Sequence, residues 1–457
     1  MGGLTSSLMM AVQALIAEQG ALSTTSNNIA NVNTPGYSRE VPVFTETTPV
    51  QMGNLLFGQG VDLKSIDSIR DRLLELRILD ETQQQSNAGA QLGFLNQVQG
   101  LFSNTSQNIG TDITAFFNTL NQLSTDPTSL TLRQAVLTAG ANLAADFHNT
   151  VNQLDALTAN LNQNVVQSVN DINRLTSEIA KLNAQVGTLK SLGKDAGALE
   201  DQRNQLVNQL SQLTDVHVIS TEQGDTITTA NGTALVVGGQ SFALQTSAGA
   251  NGAQEVFSQG KDITATLNGG KLGGLLAVRD TTIPGVIASL DDLATGITAN
   301  FNAAHHNGFD LNGGAGLDFF DPAASGSGAA HNFSVLITDP AAIAASSDGS
   351  PGSSGNIANL LAVQTTNLPS GKTPGDAYAG LVFTVGDRTA QVQAESTASS
   401  LSLQQLQDQR QGISGVSVDE EATNLIRYQH AFAAAARIIT TVDEMTQTVI
   451  AMGSPIG

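Results

Sequence analysis

The sequence contains no cysteine and no tryptophan, and it has only three tyrosines among 457 residues. The absence of cysteine excludes disulfides, thiolate nucleophiles and cysteine-ligated zinc, so stability has to come from packing or assembly. Basic residues are also few, since 19 Lys and Arg stand against 40 Asp and Glu, a formal net charge of -21. Nucleic acids and anionic membrane surfaces need concentrated Lys and Arg, so neither is expected as a partner.

Long apolar runs are missing as well. No segment approaches the ~20 apolar residues that a membrane helix needs, so membrane insertion is not expected. The apolar stretch 8–17 has no Lys or Arg before it and is followed directly by Glu18, which is unlike a cleaved signal sequence. The chain is nevertheless 40% hydrophobic, which is enough to bury the cores of roughly two to four domains.

The N-terminal residues have the spacing of a helix that packs along one narrow seam. Apolar residues recur at intervals of three, four or seven, which is typical of a coiled coil, at Leu4, Leu8, Ala11, Leu15, Leu22 and Ile29. The helix is predicted to end near Asn33, because Thr34-Pro35-Gly36 follows and proline disfavours helical geometry in the residue before it.

A matching helix is predicted at the other end of the chain, over residues 418–452. Ser417 to Glu420 reads as a capping box, in which both side chains satisfy free backbone amides of the first turn. Gly453 and Pro455 supply the stop. The predicted seam consists of Val418, Ala422, Leu425, Phe432, Ile439, Val442 and Val449.

Because both terminal helices are seamed, we predict that they pair as a coiled-coil stalk. The alternative is that each helix packs on its own globular core. Between them, helical patterns cover residues 143–189 and 199–213, and a segment containing Ile66, Ile69, Leu73 and Leu76 is also predicted to be helical. After residue 215 the pattern changes to short β-prone pieces, at 216–219, 235–237, 241–244 and 263–267, separated by Asn-Gly turns.

The predicted fold is mainly α with an inserted α+β or β-rich domain. Its three parts are a terminal coiled-coil stalk at residues 1–35 and 416–457, a helical rod at residues 36–215 and 356–415, and a smaller outer domain at residues 216–355. A helix near residues 282–304 is predicted inside that insert, and the Gly/Ser-rich tract 346–355 is predicted to be an exposed loop.

Candidate chemistry is sparse, and no catalytic, cofactor or metal site is predicted. His305, His306 and Asp310 carry the right atoms for a divalent ion, but adjacent histidines on a helix point in different directions. A solvated or capping role at the helix end is the favoured interpretation. The segment 310–318 lacks the acidic spacing of an EF-hand and the lysine of a P-loop, so it is predicted to be a turn.

Three segments resemble bacterial flagellar axial proteins. Residues 26–39 read SNNIANVNTPGYSR, residues 414–429 read SGVSVDEEATNLIRYQ, and residues 201–203 read DQR. The Asn-Ile-Ala-Asn core is similar to rod, hook and junction proteins alike. The Thr-Pro-Gly-Tyr-Ser-Arg ending and Arg427-Tyr428-Gln429 resemble the hook-associated protein 1 family of the first hook-filament junction in particular.

This resemblance implies a structural, non-enzymatic component that joins hook to filament and polymerises into a ring or tube through its terminal helices. It implies export through the flagellar type III channel, and contacts with hook protein, the second junction protein and an export chaperone on the C-terminal helix. Residues 26–37 are predicted to form the bend between stalk and rod, with the signature residues Asn28, Asn31, Asn33, Pro35, Gly36 and Tyr37.

Two other functions remain open at this point. The first is a hook or rod protein of the same axial family. The second belongs to a different class, an adhesin or an enzyme carried on a flagellar scaffold, which metal content or hydrolytic activity of the purified chain would reveal.

Overall fold

The computed structural model describes residues 2–52, 54–103, 108–221 and 224–453. Residues 454–457, which include the predicted stop at Pro455, lie outside the described residues, as does Met1. The chain divides into two compact units. Unit 1 comprises residues 1–82, 172–244 and 399–457, and unit 2 comprises residues 83–171 and 245–398.

Unit 1 contains the first and the last helix of the chain, α1 (Gly2–Ala30) and α11 (Val418–Gly453). The bounds of α11 agree with the prediction. Its first turn is capped by Ser417, whose Oγ accepts the amide of Glu420 at 3.4 Å and whose carbonyl accepts the amide of Glu421. Helix α1 ends three residues earlier than predicted, because the backbone already turns at Asn31.

Four strands that the sequence did not predict follow α1. They are β1 (Glu40–Glu46), β2 (Val50–Met52), β3 (Leu55–Phe57) and β4 (Val61–Ser68). Strands β1 and β4 pair antiparallel and both contact α1, while β2 pairs with β3. The predicted helix around Ile66 was therefore wrong at its start, since pairing with β1 overrides the helical spacing, and α2 (Arg72–Phe102) begins only after the strand.

A small sheet joins the end of α4 (Leu130–Ser191) and α5 (Gly197–Leu213) within unit 1. Its strand order is β5-β6-β7-β8, and the strands are β5 (His217–Thr221), β6 (Gly224–Thr228), β7 (Ala234–Val237) and β8 (Gln240–Ser241). The buried Asn183 amide donates to the carbonyls of Asp225 and Gly238 at 2.8 and 2.9 Å. Arg203 forms a buried ion pair with Asp225 at 2.9 Å, so the sheet is tied to both helices.

Unit 2 holds the later part of α2, the first part of α4, α3 (Ile109–Leu123) and the first part of α10 (Pro374–Ser414). Asn108 and Thr111 cap α3 reciprocally, with two side-chain hydrogen bonds of 3.0 Å, which satisfies amides that a helix leaves free at its start. The predicted helical run 143–189 lies inside α4, which continues without a break.

The core of unit 2 is aromatic. Helix α7 (Ile283–His306) brings Phe301 to within 5.1 Å of the Phe116 ring and 4.9 Å of the Phe319 ring. Phe320 and Phe333 stack at 4.6 Å, and all five rings are completely buried. Tilted and edge-on pairs of this kind match the charge distribution of aromatic rings.

The rest of unit 2 consists of short elements. Strands β9 (Leu244–Ala248), β10 (Gln254–Ser258) and β11 (Lys261–Asp262) form a sheet in the order β11-β10-β9. Helix α6 (Gly270–Ala277) continues through one π-helical turn into α7, and α8 (Ala329–Asn332) and α9 (Ile357–Ala362) are single turns or little more. The predicted strand 263–267 was wrong, because Asp262 binds the Thr264 hydroxyl and amide and starts a 3-10 turn instead.

The mainly helical class with a smaller sheet-containing region is confirmed. Both units combine residues from the predicted rod and the predicted insert, and the boundaries between units fall within α2, α4, β9 and α10 rather than in linkers. The predicted three-part division therefore stays a prediction.

The tract 346–355, which was predicted to be an exposed loop, is a turn-rich loop.

Candidate assembly surface

Helices α1 and α11 contact each other within unit 1, although the first and last residues of the pair are more than 400 positions apart in sequence. The most buried side chains of α11 are spaced by seven, at Glu421, Tyr428, Ala435 and Val442. A seven-residue spacing keeps one face of a helix turned toward a partner helix. Small side chains dominate the buried face of α1, including Ala11, Ala17 and Ala21.

The predicted seam residues lie on this pair, but they are covered to very different degrees. Ala11 and Val442 are buried. The half-buried group comprises Leu15, Leu22, Ile29, Leu425 and Ile439. Leu8, Phe432 and Val449 are exposed. The isolated chain therefore leaves much of the predicted seam uncovered.

A second apolar stripe, which sequence reasoning missed, is exposed on the same two helices. On α1 it consists of Met9, Val12 and Ile16, and on α11 it includes Ile438, Met445 and Met452, all exposed. The three α11 residues are again seven apart. Contiguous exposed apolar side chains mark interaction surfaces, so each terminal helix has apolar residues on more than one face.

Asn28 joins the two terminal helices at the end nearest the turn. Its side chain is buried and takes part in four hydrogen bonds. The amide nitrogen donates to the Glu40 carbonyl at 2.8 Å and to the Glu421 carboxylate at 3.1 Å. The amide oxygen accepts the Glu40 backbone N–H at 2.9 Å and the Tyr37 hydroxyl at 2.8 Å. One side chain thus connects α1, β1 and α11.

The turn after α1 is held by the other signature residues. The Asn31 amide nitrogen donates to the Asn27 carbonyl at 3.0 Å, and the Thr34 hydroxyl donates to the Asn31 side chain at 3.1 Å. Asn33 is exposed in the turn. The Asn31 side chain thus satisfies a backbone carbonyl at the end of α1, while the role of this turn as the bend between stalk and rod stays a prediction.

Pro35 and Gly36 present their carbonyls to two other helices of unit 1. Gln205 of α5 donates to the Pro35 carbonyl, and Arg410 of α10 donates to the Gly36 carbonyl at 3.0 Å. Gly36 has a φ of 82°, in the left-handed region that only glycine enters without strain. A side chain here would also collide with Gln205.

Arg39 ties the segment after the turn to the start of α11. Its guanidinium contacts Glu420 at 2.7 Å and Glu421 at 2.8 Å, and its backbone amide donates to the Ser414 carbonyl at 2.9 Å. The Glu420 carboxylate, which the predicted capping box would direct back to Ser417, is paired with Arg39 instead. One arginine from the other end of the chain thus pairs with two of the three acids in the first turn of α11.

These polar contacts form a hub, defined by the residues Asn28, Arg39 and Glu421. A second arginine, Arg70, joins the same chain segment to α5. It contacts Glu200 and Asp201 at 2.7 Å each, and Asp201 in turn accepts the amide of Ser38 at 3.1 Å. Burial alone would lower the pKa of Arg70, but the charges of Asp201 and Glu200 outweigh burial and raise it. The DQR motif at 201–203 therefore anchors α5 to the signature segment.

Burial also changes the acids of the hub. Removal from water raises the pKa of Glu40, although the Asn27 amide partly opposes the shift. Burial, followed by the nearby Glu40 and Asp201 charges, raises the pKa of Tyr37, so its hydroxyl keeps its proton and remains the donor to Asn28. The Tyr37 hydroxyl is thus a hydrogen-bond donor to Asn28 over the neutral range.

The favoured interpretation, a solvated or capping role at the helix end, was wrong for His305, which has a structural role. His305 is completely buried, with Nδ1 at 2.5 Å from the Leu317 carbonyl and Nε2 accepting the Ala344 amide at 2.9 Å. Burial lowers its pKa to about 4, so the ring is neutral and Nδ1 carries the hydrogen. His306 lies at 3.0 Å from Asp318.

Asp310 also has a structural role. Its side chain accepts the amides of Asn312 and Gly314 at 2.8 and 2.7 Å, which forms the predicted turn. Among the described residues, no group of three or more His, Asp or Glu side chains is placed to hold a metal ion. No described helix is long and apolar enough to cross a membrane.

Comparisons with known proteins agree with this geometry. Residues 95–320 match a family model described as flagellar hook-associated protein FlgK helical domain. Residues 8–37 match the flagella basal body rod protein model, and residues 408–452 match the flagellar basal body rod FlgEFG protein C-terminal model.

Two relatives match over nearly their full length. Flagellar hook-associated protein 1 of Bacillus subtilis strain 168 is 28% identical over 494 aligned residues, which cover 97% of each chain. Flagellar hook-associated protein 1 of Escherichia coli K12 is 28% identical over 538 aligned residues, 96% of this chain and 98% of the relative. The chain belongs to the hook-associated protein 1 family. It is a structural axial component of the bacterial flagellum.

The fold is also that of a solved family member. The structure of the flagellar hook junction protein FlgK from Burkholderia pseudomallei superimposes with a TM-score of 0.68 at 18% identity, and the match covers 74% of this chain and 100% of that one. The two short family models coincide with most of α1 and its turn and with the end of α10 and nearly all of α11. These are the elements that meet at Asn28 and Glu421.

Sequence reasoning missed the charged members of the hub. Arg39, Glu420 and Glu421 all lie within the quoted signature segments, but their pairing depends on the approach of segments about 380 residues apart. Arg70 lies outside the quoted segments. For Arg39 the available signal was its isolation, since no basic residue precedes it and the next one is Lys64.

Proposed function

We propose that this chain joins hook to filament by polymerising through α1 and α11, which pair as a coiled coil and line a ring or tube of identical copies. The observation that carries the proposal is the pair of apolar stripes left exposed on both terminal helices. Met9 and Ile16 on α1 are 59% and 60% exposed, and Ile438 and Met445 on α11 are 50% and 52% exposed. Apolar surface of this extent favours burial against neighbours.

The seam residues of the terminal helices have matching roles in this proposal. Ala11 and Val442 hold the two helices of one copy together, and Leu8, Phe432 and Val449, which are exposed, contact other copies. The half-buried residues Leu15, Leu22, Ile29, Leu425 and Ile439 become fully covered on assembly. The signature residues, from Asn28 to Tyr37, act as the bend where the stalk meets the rod, in the predicted three-part division.

Partners follow from the same surface. Hook protein and the second junction protein are the expected neighbours below and above, and a chaperone would cover the exposed stripe of α11 before export through the type III channel. Coverage of an apolar stripe until assembly prevents aggregation. We assign no catalytic activity and no cofactor.

Electron microscopy of cells lacking the gene, with a blot for flagellin in the medium, tests this function. Hooks without filaments, together with flagellin lost to the medium, would support it. Absence of hooks would assign the chain to the rod or hook instead. Normal filaments would contradict the proposal altogether.

Two substitutions test the surface itself. Ile438→Ser and Met445→Ser together should leave the monomer folded, because both side chains are already exposed, and should abolish filament attachment. The matched control is Phe383→Ser in α10, an exposed apolar residue of unit 2. Normal attachment in the double variant would show that this stripe is not an assembly surface.

A further inference from the structure

The hairpin after β1 forms an apolar arm, defined here by residues 47–52 and 54–60, which include β2 and β3. Four of its side chains are exposed: Val50 by 48%, Leu55 by 64%, Leu56 by 73% and Phe57 by 47%. From Thr47 to Val61 the sequence contains no charged residue. In a chain with a net charge of -21, this arm is an uncharged and exposed apolar surface.

Such an arm is unusual for a surface that stays in water. Natural proteins protect exposed strand edges with charged side chains or by covering them, and a lone two-stranded hairpin is only marginally stable by itself. Strand β2 pairs with β3 through Val50 and Phe57, yet both of these side chains remain exposed. The arm therefore has the properties of a segment that another surface covers.

The arm is not covered by its own α1, since four of its apolar side chains are exposed. The β1–β4 ladder runs along α1 toward the N-terminus, because Leu63 lies against Gly20 and Gly60 lies against Met10.

We propose that the apolar arm of one copy docks on the first half of α1 in a second copy, over Met9, Val12 and Ile16. This inference rests on the proposed polymerisation and names one contact within it. Residues 2–17 contain no charged side chain, so arm and helix are both uncharged. Copies of net charge -21 repel one another, and they approach at the lowest cost where neither surface carries charge.

A photoreactive amino acid at position 56 identifies what covers the arm. Irradiation of flagella with attached filaments should give an adduct of two copies of this chain, mapped by mass spectrometry to residues 1–17 of the second copy. The control is the same amino acid at Leu192, which is 63% exposed at the end of α4 and should give no such adduct. An adduct with a different protein, or with another region of this chain, would overturn the proposal.

Substitutions then measure the contribution of the arm. Leu55→Ser with Leu56→Ser should lower the fraction of cells with attached filaments about tenfold or more, because two leucines lose their burial, while the circular dichroism of the monomer stays unchanged. Leu192→Ser is the matched control. Normal attachment in the arm variant together with failure in the α11 variant would refute this inference and leave the proposed function intact. Normal attachment in both would refute the two together.

Discussion

The aromatic core around α7 buries its apolar side chains, whereas the two terminal helices leave many of theirs exposed. In unit 2, α7 and its neighbours bury Phe116, Phe301, Phe319 and Phe320 completely in one cluster. In unit 1, the terminal helices leave Met9, Ile16, Ile438 and Met445 in solvent, and a hydrogen bond from Asn28 to Glu421 links them. The difference indicates that unit 2 is complete as a single chain, whereas the terminal pair needs neighbours to bury its surface.

The largest expected effect compares two phenylalanines, one in each region. Phe320→Ala should lower the free energy of unfolding of unit 2 by about 3–5 kcal/mol, because the ring lies in a packed core and leaves a cavity. Phe432→Ala removes a ring that is 37% exposed, and we expect a loss below about 1 kcal/mol with defective assembly. Denaturant unfolding of the monomer and electron microscopy measure the two effects.

Equal losses of monomer stability in these two variants would contradict the comparison. That result would mean that α11 is as well packed in the free chain as the aromatic cluster. Phe383→Ala, which changes an exposed ring in unit 2, provides the control for the loss of a phenylalanine as such.

Acidification should weaken unit 2 through His305. Burial lowers the pKa of this histidine from 6.5 in the unfolded chain to about 4, so the unfolded state binds the proton more tightly. The contribution of neutral His305 is therefore complete above about pH 6.5 and is lost as the pH falls toward 4, in total about 3 kcal/mol. Hydrogen exchange of α7 between pH 4 and 7 measures it.

His305→Gln keeps a polar side chain that does not titrate, and it should flatten this part of the pH profile. His331→Gln is the control, because His331 is exposed and contacts Asp155 at 2.9 Å on the surface. An unchanged profile in the His305 variant would show that another group causes the acid sensitivity.

The polar hub gives the next largest effect. Asn28→Ala should destabilise the junction of α1 and α11 by about 2 kcal/mol, because it leaves buried polar groups of Glu40 and Glu421 without their partner. Faster hydrogen exchange at the start of α11 would report the loss, and Asn33→Ala, at an exposed position in the same turn, should change it little. Unit 2 should be unaffected in both variants.

The terminal segments show which features could be predicted from the sequence and which could not. The seven-residue seam and the Ser417 cap predicted α11 almost to the residue, because periodicity and caps are local signals. Strands β1 to β4 were missed because Ile66 and Ile69 have helical spacing, and only pairing with a distant strand decides otherwise. The bond between Asn28 and Glu421 spans 393 residues, so family resemblance marked both segments while the contact itself required the structure.

The smallest effect concerns two carboxyl groups in unit 2. Burial, and then the nearby Asp146 carboxyl, raises the pKa of Asp112 from 3.8 to about 6. The folded state therefore binds this proton more tightly, and its stabilising contribution is lost as the pH rises through about 6. At pH 8, Asp112→Asn should raise the stability of unit 2 by about 1 kcal/mol, a value reduced for solvent screening of a partly exposed group.

Denaturant unfolding at pH 5 and pH 8 tests this sign. The gain from Asp112→Asn should shrink toward pH 5, where the aspartate is already mostly protonated, and Glu395→Gln, an exposed acid on α10, should give no comparable gain at either pH. Between about pH 4 and 6 the stabilising contribution of His305 rises with pH while that of Asp112 falls, so the two effects on the stability of unit 2 oppose each other. An equal gain in stability at both pH values would contradict this prediction, because it would show that the gain does not come from the charge of Asp112 beside Asp146. His305 would then remain as the pH-sensitive group of this core.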